Sequence, residues 1–376
     1  MKLSNITLLF SIILILAGCN KRKPAGQDNT KPQTEYTVYY AKGFQVKKYD
    51  EYTTISVRDP WDTTRMLQTY VLVAKNKNLP ANLPKGTLVR TPLETVVTYN
   101  TIHCSTLKEL ASVDIIKGVC EPQYVKTEEV IAGVKAGSII DLGMASNPDV
   151  EKIIMLSPDA ILTSPIKGLA YGSITNAKIP IIETPDYTEP HPLGRAEWIR
   201  FYSLFIDKEQ LADSLFNITV TNYNNIKKLA SDVSKRPTVF MDMRYMGSWN
   251  MPGGGSYLAN MLADGGGSYL WADDNTTTFL PLSFEAVLDR AGEADVWLIR
   301  YFSPDDITYN SLEKEYKPYS YFRAFKEKNI YGCNTSYSTF YADLPIHPDY
   351  ILKDFVKVFH PDLFPDYQLK YYKALK

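Results

Sequence analysis

Two glutamates, Glu151 and Glu285, stand at matched places in the chain: Glu151-Lys-Ile-Ile runs on to Asp159-Ala-Ile-Leu, and Glu285-Ala-Val-Leu runs on to Asp295-Val-Trp-Leu. Each carboxylate thus opens a helical apolar pattern that is followed by a buried strand. Asn147-Pro148-Asp149 supplies an N-cap, a proline at the first helical position and a first-turn carboxylate, while Ser283 caps the second helix. A glutamate in a first helical turn complements the helix dipole, worth a few tenths to about 1 kcal/mol. Carried twice on separated helices, it also fixes the orientation of a docked protein through directional, charge-assisted pairs.

Other residue types point to binding rather than bond-making. Arg244 and Arg300 each follow a buried strand, where a guanidinium meets either an anionic ligand or a structural carboxylate. Trp249 leads into Pro252-Gly253-Gly254-Gly255-Ser256, a turn that lets backbone approach a bulky ligand before a helix begins. It lacks the lysine and spacing of a phosphate loop. There is no Gly-x-Ser-x-Gly elbow, no His-Glu-x-x-His and no close carboxylate pair with an evident role, so neither a hydrolase nor another enzyme is indicated. His191, His347 and His360 precede proline and are scattered, which favours structural roles; His103 alone falls where a ligand contact is expected. No cluster has metal-site spacing.

The elements that must hold these groups follow from periodicity. Residues 36–95 carry β-branched and aromatic runs that read as antiparallel strands. After Pro92, short apolar strands alternate with helical segments, the signature of a parallel, helix-covered sheet. From Leu193 to Ser234 apolar residues recur at helical spacing, with Asp207 as a joint between two helices, the second long; the alternation then resumes. The expected domains are 36–95, a β-rich extension of the first lobe; 96–205, an N-terminal α/β lobe; 206–235, an interlobe helix; and 236–376, a C-terminal α/β lobe. Ligands of such sheets lie beyond the carboxyl ends of the strands. That places Tyr99, His103, Tyr124, Met144, Tyr171 and Tyr187 on one side of a cleft, and Arg244, Tyr245, Trp249, Arg300 and Tyr301 on the other.

The first residues set the compartment. Lys2, the short apolar run Ile6 to Leu16 and the closing Leu16-Ala17-Gly18-Cys19 form a lipoprotein signal over 1–19, with Cys19 the lipidated residue. Residues 20–35 are polar and read as a flexible tether. An extracytoplasmic, lipid-anchored location follows. Cys104 and Cys120 lie near successive strands, where a disulfide is open to them; Cys333 reads as a buried thiol. With 41 basic and 42 acidic residues, nothing suits the chain to nucleic acid. Tyrosine is plentiful at 27, a supply of amphipathic rings for a wide, wet cleft.

Asn147-Pro-Asp-Val-Glu151-Lys-Ile-Ile-Met-Leu-Ser-Pro158-Asp159-Ala-Ile-Leu resembles the N-lobe signature of the class III substrate-binding proteins, the iron-siderophore, haem and cobalamin binders of ABC importers. Leu282-Ser283-Phe-Glu285-Ala-Val-Leu resembles its C-lobe counterpart. Pro190-His191-Pro192-Leu193-Gly194-Arg195 and His347-Pro348-Asp349 are similar to segments of lipoprotein members, and the likeness covers roughly residues 94–365. It implies an α/β fold of two Rossmann-like lobes joined by one long rigid helix. It also implies a monomer that binds a ferric siderophore or related chelate, or alternatively a corrinoid or haem, with no cofactor of its own. Glu151 and Glu285 would then pair with arginines of the permease dimer. Arginine and aromatic content suits an anionic ferric siderophore, and the alternatives from other classes are a secreted hydrolase or a surface assembly lipoprotein built on 36–95.

Overall fold

The computed structural model describes residues 34–376, so the signal, Cys19 and all but the end of the tether lie outside the described residues. Thr34 and Glu35, counted with the tether, already belong to a strand. The β-rich segment is one five-stranded sheet in sequence order: β1 (Thr34–Tyr36), β2 (Phe44–Lys48), β3 (Thr53–Arg58), β4 (Met66–Ala74) and β5 (Thr87–Thr91). The first four strands are antiparallel, but β5 runs parallel to β4. The long connection over residues 75–86 permits this departure from the expected antiparallel sheet, because a parallel return needs a crossover.

The N-terminal lobe follows as β6 (Val96–Thr98), α1 (Thr101–Glu109), β7 (Ile116–Val119), α2 (Glu128–Ala136), β8 (Ile140–Asp141), the hairpin β9 (Gly143–Met144) and β10 (Asn147–Pro148), α3 (Val150–Leu156), β11 (Ala160–Thr163) and β12 (Ile181–Glu183). Its sheet has the order β12-β11-β6-β7-β8 and is parallel throughout. The extension closes one edge of it. Tyr70 of β4, fully buried, accepts from Glu183 N at 2.7 Å and donates to Ile181 O at 3.2 Å, satisfying backbone groups of the edge strand β12.

Three helices link the lobes: α4 (Pro192–Ala196), α5 (Trp198–Ile206) and α6 (Glu209–Ser231). Asp207, in the left-handed region at φ 56°, turns α5 into α6. The 23 residues of α6 span about 34 Å at the usual helical rise. Buried acids tie the chain's start to this region. Glu197 accepts backbone N–H bonds from Tyr39, Tyr40 and Ala41 and pairs with Arg200 at 2.9 Å, while Glu189 accepts from Lys42, Gly43 and the Trp198 indole.

The C-terminal lobe comprises β13 (Thr238–Met241), β14 (Arg244–Tyr245), β15 (Ser248–Pro252), α7 (Tyr257–Asp264), β16 (Ser268–Tyr269), β17 (Phe279–Leu282), α8 (Phe284–Ala291), β18 (Val296–Tyr301), α9 (Tyr309–Glu315), α10 (Arg323–Lys326), β19 (Ile330–Asn334), α11 (Phe340–Asp343), α12 (Pro348–Phe359) and β20 (Lys373–Ala374). Its main sheet, β16-β13-β18-β19-β20, is parallel except for the antiparallel β20, which covers the β19 edge. β14, β15 and β17 form a small antiparallel sheet.

The disulfide left open to Cys104 and Cys120 does not form: both thiols are free and buried. Alternation along the strands explains it. Cys104 packs with Val96 and Leu162 on one face of the N-lobe sheet, and Cys120 packs with Val97 and Ile161 on the other.

Candidate functional site

The carboxyl ends of the strands in both lobes converge on one cleft. Two connected spaces of about 450 and 510 Å³ share Thr101, Tyr124 and Tyr341 in their walls. The N-terminal lobe supplies the start of α1 and the segment 121–127, and the C-terminal lobe supplies the ends of β18 and β19, α11 and the start of α7. Contacts cross the cleft at its rim, where Tyr124 meets Phe302 edge-on at 5.6 Å and Lys126 donates to Ser336 O. Deeper in, the Arg195 guanidinium lies 4.8 Å from the ring centre of Tyr257.

Four of the expected ligand residues line this cleft: Tyr124 and Tyr187 from the N-terminal lobe, Arg300 and Tyr301 from the C-terminal lobe. Arg300 is not a free cation. Its guanidinium binds both oxygens of Asp242, and that ion pair is buried. Burial works most strongly against the charge on Arg300, but Asp242 together with Tyr341 and Tyr372 more than offsets it and holds the group protonated. The tyrosines are likewise engaged: Tyr301 donates to Asp306 at 3.0 Å and Tyr187 to Pro165 O at 2.7 Å. Arg195 pairs with Asp186 at 2.9 Å. Glu121 and Lys126 are the other charged residues of the wall, so once Asp186 and Asp242 behind the two arginines are counted, three cations face three anions and the cleft is electroneutral.

Two expectations fail because the side chains face inward. Trp249 is fully buried between Phe240, Trp297, Tyr319 and Phe322, and its indole donates to Met241 O at 2.8 Å. The β14–β15–β17 sheet turns this ring into the C-lobe core. His103, also wholly buried, contacts the Tyr202 hydroxyl through Nδ1 at 2.9 Å. Tyr202 donates onward to Thr184, and Thr184 to Thr163 O, which makes Nδ1 the protonated nitrogen. Burial depresses the His103 pKa to about 3.

Five more lie elsewhere. Tyr99 and Tyr171 line a separate space inside the N-terminal lobe, with Tyr171 donating to Glu183 at 2.8 Å. Met144 is exposed on the β9–β10 hairpin and Tyr245 on the β14–β15 hairpin. Arg244 stacks 4.3 Å from the Tyr316 ring centre and lines neither cleft space.

Glu151 and Glu285 are exposed, each the second residue of its helix. The caps differ slightly from expectation: Asp149 caps α3, accepting from Lys152 N at 3.0 Å, because Asn147 and Pro148 are taken up in β10. Ser283 caps α8 as expected, accepting from Ala286 N at 3.2 Å. The helix's own backbone N–H, then the Ser283 hydroxyl, hold the Glu285 carboxyl below its ordinary range. Sequence reasoning missed Thr101, Phe302, Tyr341, Tyr257 and Ser164. Phe302 and Ser164 directly follow β18 and β11, and the strand-end rule alone would have selected both.

Residues 96–336 match the family model described as "Periplasmic binding protein". The chain belongs to that family. Its members are solute-binding proteins rather than enzymes, and the resemblance to class III substrate-binding proteins of ABC transporters stands. An uncharacterised lipoprotein of Methanocaldococcus jannaschii is 27% identical over 98% of each chain. Among solved structures, the molybdate-binding protein MolA of Haemophilus influenzae aligns at TM-score 0.60 with 16% identity, covering 76% of this chain and 91% of its own. An Fe3+-hydroxamate transport protein of Saccharomonospora viridis aligns at 0.56 with 18% identity, covering 72% and 94%. The lobes and connecting helices are therefore those of this fold.

Proposed function

We propose that this family member captures a bulky metal chelate of low net charge between its lobes and delivers it to an ABC permease dimer as a monomer. It would do so while anchored through Cys19 on the extracytoplasmic side. The observation that carries the reading is the electroneutral cleft, walled by both lobes and rich in tyrosine, threonine and serine. Its size suits a ligand larger than a four-oxygen anion, which needs only a few convergent donors. Among the described cleft residues no arginine is unpaired, so the expected preference for an anionic siderophore loses its support; a neutral ferric hydroxamate or a corrinoid fits better. The start of α1 adds backbone donors, since Asn100 spends its side-chain oxygen on Ser164 N and leaves that terminus without a side-chain cap.

Docking through Glu151 and Glu285 is supported by their equal helical position, their exposure and their placement on separate lobes. The lipid anchor is supported by the lipobox and by the M. jannaschii lipoprotein that matches along nearly the whole chain. Reversing both charges, Glu151→Lys with Glu285→Lys, should abolish chelate uptake in cells while leaving chelate affinity of the purified protein within about twofold, because neither lines the cleft. Uptake that survives the double reversal removes the docking role.

A further inference from the structure

Each glutamate helix stands beside a β-hairpin that ends in a two-residue turn. In the N-terminal lobe β9 pairs with β10 in the register Met144 with Asn147, which leaves Ala145 and Ser146 as the turn; Asp149, two residues past Asn147, caps α3. In the C-terminal lobe β14 pairs with β15 in the register Tyr245 with Ser248, which leaves Met246 and Gly247 as the turn. The preceding row runs Arg244, Trp249, Leu282, and Leu282 is the last residue before Ser283, the cap of α8. Tyr245 is therefore two strand spacings, about 10 Å, from that cap. The hairpins follow the carboxyl ends of β8 and β13, so both stand on the side of their lobes that faces the cleft.

Both hairpins present apolar side chains to solvent. Met144 is 62% exposed, Tyr245 69% and Met246 89%. Met155, 83% exposed, lies one helical turn beyond Glu151 on the same face of α3. A single exposed apolar side chain is ordinary, but side chains of this kind gathered beside one glutamate in each lobe mark a contact surface. Met246 sharpens the case. Its φ of 50° is left-handed, a turn position that suits glycine or asparagine, and at its exposure the side chain gains almost no packing to offset the strain. The charges define the occupant. A membrane surface recruits apolar residues flanked by lysine and arginine. Here the helices present Glu151 and Glu285, Lys152 is paired with Asp149 at 3.3 Å, and Arg244 is stacked on Tyr316. Such patches repel anionic headgroups and suit a protein that brings cations for the carboxylates and apolar hollows for the methionines.

We propose that the two hairpins are apolar anchors of the permease contact: Met144, with Met155, on one lobe and Tyr245 and Met246 on the other are buried against the extracytoplasmic loops of the permease dimer, around the pairs made by Glu151 and Glu285. The assignment rests on the docking reading of the glutamates. They supply direction, while the flexible, polarisable methionines adapt to the partner and supply buried area.

In the test, p-benzoylphenylalanine replaces Met144 or Met246 in the full-length lipoprotein in its own cells. Irradiation should crosslink both positions to an integral membrane subunit of an ABC importer, identified by mass spectrometry, and the same probe at Leu79, exposed on the β4–β5 connection, should not. Crosslinks only to lipid, only to a second copy of this chain, or to no permease subunit overturn the proposal. The captured permease, reconstituted in nanodiscs, is then titrated with wild type, with Met144→Ser plus Met246→Gly, and with Glu151→Lys plus Glu285→Lys. The methionine pair should lose about tenfold to hundredfold in permease affinity. Its Tm should not fall, since glycine accepts the left-handed turn. An affinity within about twofold of wild type, or a loss that comes only with a lower Tm, overturns the anchors even where the glutamate reversal abolishes binding. If the methionine pair loses affinity and the glutamate reversal does not, the anchors stand and the docking role of the glutamates falls.

Discussion

The two lobes meet the cleft in different states of completion. On the C-terminal side, the groups at the end of β18 are tied within the lobe: Arg300 to Asp242 and Tyr301 to Asp306, with the Trp249 indole behind them on Met241 O. On the N-terminal side, α1, whose first residues line the cleft, begins without a side-chain cap. A wall whose hydrogen bonds are internally closed contributes shape and rigidity, whereas one with open donors contributes recognition. Both lobes are built on five-stranded, mainly parallel sheets, yet they divide these tasks.

The strongest way to break that comparison is to open the closed side. Asp242 sits at φ 62°, a backbone state that asparagine tolerates, so Asp242→Asn isolates the charge. It leaves Arg300 buried without its counter-ion and should cost about 3–5 kcal/mol, read as a lower denaturant midpoint at unchanged m-value. An unchanged midpoint would mean that Arg300 can turn to the cleft and serve a ligand after all. Trp249→Ala should cost a similar 3–5 kcal/mol by emptying the aromatic core, while Tyr124→Ala, at the half-exposed rim, should change stability by less than about 0.5 kcal/mol and act on ligand affinity instead. Chemical denaturation and ligand titration of the pair separate core from cleft.

Acid gives a smaller, graded test on the open side. Buried His103 has its pKa lowered to about 3, against an ordinary value near 6.5. The unfolded chain therefore binds a proton that the folded chain refuses across this interval. The contribution of His103 is fully present above about pH 6.5 and is lost as pH falls toward 3. His103→Gln should flatten that part of the stability–pH curve; a slope identical to wild type would show that another group carries it. The smallest effect concerns the thiols. Since Cys104, Cys120 and Cys333 are free, a reductant should leave Tm unmoved, and a drop in Tm would restore the disulfide.

Much of this was legible in the sequence, for identifiable reasons. Pro348 to Phe359 announces its helix through a proline at the first helical position and a strong apolar stripe, and the helix occupies those residues. The matched glutamate helices were readable because a cap, a carboxylate and an apolar period agree locally. Side-chain direction was not. Trp249 and Tyr301 both belong to strands, but only the three-dimensional pairing of β15 with β14 and β17 decides that one ring turns into the core. The Asp242–Arg300 pair joins the residue that follows β13 to one in the neighbouring β18, 58 positions away, and no local pattern announces it. Tyr341 escaped notice because α11 is a single turn, too short to display a period.

The buried carboxylates of Glu197 and Glu189 have a mechanical consequence. They grip residues 39–43 beside the helices that link the lobes, through five backbone N–H groups and an indole. A force pulling the chain from its N-terminal side is borne first by the pairing of β1 with β2 and next by this junction. Load that passes β1 is held by two buried carboxylates at the link between the lobes rather than by the walls of the cleft.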